Sequence, residues 1–293
     1  MSPRKLMWRA IVMIVGTSLL SEKARAGGEA SPLARLSPTQ NLALGMLAGC
    51  GSKCINYPLL AWKNAAQQGL PLPMRPDLVY RGLPMAMMNL GGTTAVQFLF
   101  TGYFQKMLKT KENDQFAEMA GATLGGIVSG VPCAMWELIM IQQQRFGGSL
   151  LGTPAKLLKE FGVAAYTRGM GMTMGREGLY TMAMLGLTPV VQRYLVEERG
   201  MDKGTGLAIG ALGSAFFSAT VTHPMDTIKT CLQGDLMKKQ FINNLQTGRL
   251  LVDTHGVAGV FKGLGWRISL IATTFFLVNK FKEGLAPVMF PNV

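Results

Sequence analysis

The fold class that this 293-residue sequence predicts is an all-α membrane protein with six transmembrane helices in three repeats. Long uncharged runs are the first reason. Residues 82–105 and 204–225 contain no Asp, Glu, Lys or Arg, and each is long enough to cross a hydrocarbon core. Composition is the second: 48% of residues are hydrophobic against 15% charged, with a mean hydropathy of +0.24. That balance disfavours a soluble protein built of three buried hairpins. A motif that occurs three times is the third reason, because internal repetition fixes architecture before any local pattern does.

The fullest copy is Pro224-Met225-Asp226-Thr227-Ile228-Lys229, with Gln233 nine residues after the proline. A proline there bends a helix, and the acid and base three residues apart lie on one side of the segment that follows. The first copy is Pro58-Leu59-Leu60-Ala61-Trp62-Lys63, with Gln67 nine residues on. In the second, Met135 holds the proline position, Glu137 the acid and Met140 the base, with Gln144 nine residues on and Pro132 three residues earlier. A triplet of an aromatic or polar residue, a base and a glycine follows each copy: Tyr80-Arg81-Gly82, Thr167-Arg168-Gly169 and Phe261-Lys262-Gly263. Residues 162–165 and 256–259 also match at the same offset as the last two triplets.

Taken in order, residues 1–37 are an extension with basic, apolar and small-residue zones. It reads as a signal peptide, as a mitochondrial presequence, or as an arm for docking to a partner. Repeat 1 covers residues 38–112, repeat 2 residues 113–200 and repeat 3 residues 201–293. Each has two membrane-length segments, about 40–66 and 82–105, 119–136 and 169–192, 204–225 and 263–281. Those interrupted by charges are expected to line a polar interior. Small residues recur thirteen and nine positions before the motif (Gly45 and Gly49, Ala122 and Gly126, Ala211 and Ala215), which lets helices approach closely in lipid. The net charge of +13 is spread over membrane flanks and forms no nucleic-acid groove. Cys50, Cys54, Cys133 and Cys231 lack metal-site company, and no nucleophile triad or phosphate loop is present, so neither an enzyme nor a metal or organic cofactor is expected.

These motifs resemble the mitochondrial carrier family over about residues 38–287. The resemblance implies a pseudo-threefold bundle with short matrix-side surface helices, embedded in the mitochondrial inner membrane. It also implies a ring in which each repeat's acid pairs with the next repeat's base: Glu137 with Lys229, Asp226 with Lys63, and Leu60 with Met140 as an apolar contact. Gln67, Gln144 and Gln233 would brace this matrix gate. The family's second ring, on the opposite face, is missing at Gln105 and Pro189 and reduced to Glu283. Substrate contacts are implied at Lys53, Asn89, Arg176 with Glu177, and Leu270. Arg176 and Glu177 suit the carboxylate and amine of a zwitterion, and the plainer reading is that they only satisfy neighbouring helices. Cardiolipin is implied at Gly82, Gly169 and Gly263, beside Arg81, Arg168 and Lys262, cations that equally suit plain interfacial anchors. The expected function is exchange of a small anionic or zwitterionic metabolite by alternating access. The alternative is a carrier fold that no longer transports and serves as an accessory subunit of a large membrane complex.

Overall fold

The structure is a computed structural model, and the residues it describes are 37–109 and 114–290. Nearly all of the extension expected over residues 1–37 lies outside them. Among the described residues there is no strand, and a pattern of long helix, short helix, long helix occurs three times. The first set is α1 (Pro38–Gln67), α2 (Pro76–Val79) and α3 (Leu83–Leu108). The second is α4 (Gln115–Phe146), α5 (Gly152–Phe161) and a long helix made of α6 (Met170–Thr181), a π-helical segment Met182–Leu187 and α7 (Thr188–Glu197). The third is α8 (Lys203–Gly234), α9 (Asn244–His255) and α10 (Leu264–Met289). Three stretches are long and apolar enough to cross a membrane: Gln115–Phe146, Lys203–Gly234 and Val257–Met289. The other three long stretches fall short of that level.

Local chemistry accounts for the boundaries. Asp114 caps α4 by accepting from Ala117 N at 3.1 Å, and Asp202 caps α8 by accepting from Thr205 N at 2.8 Å. The triplet glycines do the same work by backbone freedom: Gly82 and Gly169 sit at φ 82° and 72° immediately before α3 and α6, and Gly263 at 84° precedes α10. Where the sequence repeats at 162–165 and 256–259, so does the structure, with 3₁₀ turns at Val163–Thr167 and Val257–Phe261. Inside the second set, Pro189 lacks an amide hydrogen, and the turn before it widens; Thr188 Oγ1 donates to Ala183 O at 3.1 Å, five residues back.

The chain divides into two bodies, Met1–Leu60 with Gly265–Val293, and Ala61–Leu264. In the first, Asn56 Nδ2 donates to Thr274 Oγ1 at 2.6 Å, and Gly51 leaves room for the Phe281 ring, which a β-carbon there would approach to 3.1 Å. In the second, α4 carries glycines on two faces. A β-carbon at Gly125 would lie 2.5 Å from Thr101 N on α3, and one at Gly126 would collide with Glu177 O on α6. Gly121 and Gly130 repeat these approaches one turn away. This close fit brings Glu137, on α4, and Arg176 and Glu177, on α6, into one buried layer.

Candidate functional site: a buried cluster of six charges

The second body holds three carboxylates and three cations in mutual contact. Lys63 Nζ lies 2.6 Å from Asp226 Oδ2, and Lys229 Nζ lies 2.9 Å from Glu137 Oε2. Both distances join the partners that the cyclic repeat pattern pairs. Lys229 also reaches Asp226 Oδ1 at 3.3 Å, one turn along its own helix. Arg176 was placed by the sequence among substrate contacts, but its guanidinium enters this layer. Its Nη2 lies 2.9 Å from Glu137 Oε2 and 2.6 Å from Glu177 Oε1, and its Nη1 lies 3.5 Å from Asp226 Oδ1. All six side chains are at most 12% exposed, so each charge depends on its neighbours for solvation. Three negative and three positive groups leave the layer neutral.

The glutamines divide their roles. Gln67 braces an ion pair, donating to Asp226 Oδ2 at 2.8 Å and to Thr227 Oγ1 at 3.3 Å. Gln144 Oε1 accepts from Asn64 Nδ2 at 2.7 Å. This is coherent with the repeat pattern, in which the pair assigned to Gln144 is the apolar Leu60 and Met140 and offers no charge to brace. Gln233 donates to two backbone carbonyls, Ala134 O at 3.0 Å and Arg168 O at 3.3 Å, so it ties α8 to α4 and to the loop before α6. Its expected role as a side-chain brace is therefore replaced by a backbone anchor.

Gln97, Gln142 and Arg145 belong to this region and were not singled out from sequence, and Cys133, read there only as a cysteine without metal-site company, joins them. Gln97 Nε2 donates to Glu177 Oε2 at 2.8 Å and to Thr181 Oγ1 at 2.9 Å, while the Cys133 thiol lies 3.5 Å from Arg176 Nη2. The C-terminal carbonyls of α8 are captured one after another: Leu232 O by Arg168 Nε at 2.7 Å, Gln233 O by Gln142 Nε2 at 2.6 Å and Gly234 O by Arg145 Nη1 at 2.6 Å. Arg168 also donates to Asp235 O at 2.8 Å, to Ile242 O at 3.2 Å and to Phe241 O. Cations at a helix C-terminus are a general electrostatic preference, but which cation crosses from another repeat is not written in the local pattern.

The remaining expected sites are placed as follows. Asn89 is half-buried on α3 and accepts from Thr93 Oγ1 at 2.7 Å. Lys53 is half-buried on α1, in the first body. Gly169 packs against Lys229, whose Cγ would lie 3.2 Å from a β-carbon there, and Gly263 against Lys63 O at 3.1 Å. Lys262 contributes its carbonyl to His223 Nε2 at 2.9 Å. On α4, Glu118 forms a bidentate pair with Arg193 of α7 at 3.0 and 3.2 Å, on the helix where Pro189 stands at the expected position of the second ring's acid. Among the described residues, no group of His, Cys, Asp and Glu is arranged to hold a metal ion.

The loop after α8 gives a pH expectation. Burial raises the Asp235 carboxyl, but N–H groups of Phe241, Gln240 and Lys239 and the nearby Arg168 outweigh it and hold it below its usual value of 3.8. A carboxyl lowered by folding contributes stability above the unfolded value, and that contribution is lost as pH falls through the folded one. The melting temperature should therefore decline below about pH 4 partly through this residue, and Asp235→Asn should flatten that decline. Its worth at neutral pH is on the order of 1 kcal/mol, since the group is partly solvated.

Comparison with known proteins matches residues 203–287 to the family described as mitochondrial carrier protein. Across more of the chain, it is 25% identical over 240 residues to the succinate/fumarate mitochondrial transporter of Saccharomyces cerevisiae, 71% of this chain and 73% of that one. The chain is thus similar to mitochondrial carriers, through the family model over its third repeat and through this relative over more of its length. Two further carrier relatives are the mitochondrial substrate carrier family protein ucpB of Dictyostelium discoideum, 26% identical over 121 residues, and the mitochondrial glycine transporter of Emericella nidulans, 30% identical over 125. The matches cover 40% and 41% of this chain, and only 40% and 37% of those proteins' own length. The likeness agrees with the all-helical, apolar architecture, and the relatives named are transporters or carrier-family proteins.

Proposed function

We propose that this carrier exchanges a small anionic or zwitterionic metabolite across the mitochondrial inner membrane, as a multi-pass protein, by alternating access. The observation that carries the reading is the neutral buried cluster. Well-packed apolar residues often replace buried ion pairs without loss of stability, so ion pairs are a costly way to hold helices together permanently. They suit a contact that must open, because each partner can be taken over by water or a bound charge. Lys63 with Asp226 links the first and third motif copies, and Glu137 with Lys229 the second and third. In this reading they form the matrix gate, with Gln67 as its brace. Asn89, Arg176 and Glu177 form the substrate-facing set, to which the family pattern adds Lys53.

The relatives' substrates differ, succinate or fumarate in one and glycine in another, so they do not select one for this chain. The purified protein in liposomes should catalyse saturable counter-exchange of a small charged metabolite. Absence of any exchange would overturn the reading.

Cardiolipin belongs to the same proposal. A helix that opens after a glycine presents free amides to a phosphate, and Arg81, Arg168 and Lys262 stand beside the three openings. Arg168 spends its donors on carbonyls, so at Gly169 the backbone amides are the proposed phosphate ligands. Adding cardiolipin should raise the melting temperature of the purified protein more than phosphatidylcholine does. Equal shifts with both lipids would count against the clamps. Substituting Gly169 or Gly263 is a poor test, since side chains there would strain the backbone and crowd Lys229 or Lys63.

A further inference from the structure

We infer that a second ligand site, for a soluble phosphate ester carrying a ring, lies between the C-terminal ends of α4 and α8. A cavity of about 630 Å³ opens there, a volume in the range of small-molecule sites. One wall is drawn from residues 142–161 of the second repeat, at the end of α4 and along α5; the other is residues 234–239, the end of α8 and the loop after it. The six charges of the buried layer do not line it, and neither do Arg81, Arg168 and Lys262, the cations beside the three helix openings.

The lining sets the ligand's chemistry. Arg145, Lys156 and Lys239 supply three cations, and the two acids beside them compete weakly. Asp235 turns its carboxylate into its own loop, accepting from the amides of Lys239, Gln240 and Phe241 at 3.2, 2.8 and 2.9 Å. Glu160 lies 3.8 Å from Lys156, and both side chains are about half exposed or more, so a phosphate dianion displaces it at little cost. Arg145 spends Nη1 on Gly234 O at 2.6 Å and Gln68 Oε1 at 3.3 Å, which leaves the rest of its fork for a phosphate. The same guanidinium stacks over the exposed Phe146 ring, 5.2 Å from its centroid, and Leu157 and Leu236 add apolar surface to the lining. A bare anion leaves that carbon surface wet, whereas a ring attached to the phosphate covers it.

The site's position has a consequence that rests on the carrier reading. Lys156 and Lys239 belong to different repeats. Arg145 and Gln142 already cross between those repeats, onto Gly234 O and Gln233 O at 2.6 Å each. A phosphate held by both walls adds another tie across a boundary that opening of the matrix gate would separate. Its occupant therefore inhibits exchange from the matrix-facing side.

The test is calorimetric titration of the purified full chain with ADP, adenosine and inorganic diphosphate, alongside melting temperatures. ADP should raise the melting temperature and bind at least about tenfold tighter than either of its parts, since charge and ring burial each contribute. Lys156→Gln and Lys239→Gln should each weaken ADP several-fold, one from each wall, and leave the melting temperature without ligand unchanged. No binding of ADP, equal binding of adenosine or diphosphate, or an affinity indifferent to either lysine overturns the inference. Cardiolipin, the other source of phosphate, should leave ADP binding unaltered; competition between them would assign the cavity to a lipid headgroup and overturn it. In liposomes, ADP on the matrix-equivalent side should slow exchange of labelled glycine or succinate, and less so in Lys239→Gln; equal inhibition of that variant overturns the regulatory role. If neither metabolite is exchanged, the carrier reading fails and the titrations alone decide the site.

Discussion

Glu137→Lys should be among the most destabilising single changes in the protein. Its carboxylate is shared by Lys229 and Arg176, each at 2.9 Å, and the substitution puts a third cation between them in a layer closed to water. Breaking a buried pair costs about 3–5 kcal/mol, and reversal adds repulsion to that loss. Pairing alone predicts that Lys229→Glu restores most of it. The observed geometry predicts partial rescue. An ammonium introduced at position 137 still faces Arg176, and a carboxylate introduced at position 229 lies beside Asp226, to which Lys229 is now held at 3.3 Å. Thermal unfolding of the two single variants and the double variant measures this coupling. Strict additivity would mean that the two side chains do not interact.

Arg176→Ala carries the second large effect, and here the structure reverses the expectation drawn from sequence. A residue in an open cavity can be truncated with its fold intact. This one touches three carboxylates, and its loss leaves Glu137, Glu177 and Asp226 with only two lysines. The variant should lose about 3–5 kcal/mol of stability as well as exchange activity. Arg176→Lys should recover part of the stability, since it restores the charge, but a single ammonium cannot span the forked contacts of a guanidinium. Melting temperatures near wild type for Arg176→Ala would place the guanidinium outside the cluster.

Much of this site is legible in the sequence because its chemistry is periodic. Asp226, Lys229, Lys63 and Glu137 occupy equivalent positions of three repeats, and a cyclic rule is enough to pair them. Gly82, Gly169 and Gly263 are legible for the same reason, each marking the start of a long helix that needs a left-handed residue. Arg176 is legible as a polar intrusion in an apolar segment, but not in its aim. Its long side chain has several carboxylates within reach, and only the close approach of α4 and α6 at Gly126 and Gly130 selects among them. Gln97 and Arg145 escape the sequence because a single polar residue carries no spacing. Their partners, a carboxylate and a helix-end carbonyl, lie 80 and 89 positions away. Gln233 shows the opposite failure: the period predicts its position correctly and its hydrogen-bond partner incorrectly.

The most direct measurement uses a reporter already inside the cluster. Cys133 is 2% exposed and its sulfur lies 3.5 Å from Arg176, so a reagent reaches it only when the charged layer opens. In a protein with Cys50, Cys54 and Cys231 replaced by alanine, a membrane-impermeant maleimide is added to either side of liposomes, with and without exchanging substrate. The account predicts slow labelling at rest and a marked acceleration from the matrix-equivalent side during exchange, with Lys63→Ala accelerating the resting rate. Labelling of Cys133 that is rapid at rest, or indifferent to both substrate and the loss of Lys63, would contradict a closed gate built from these six charges.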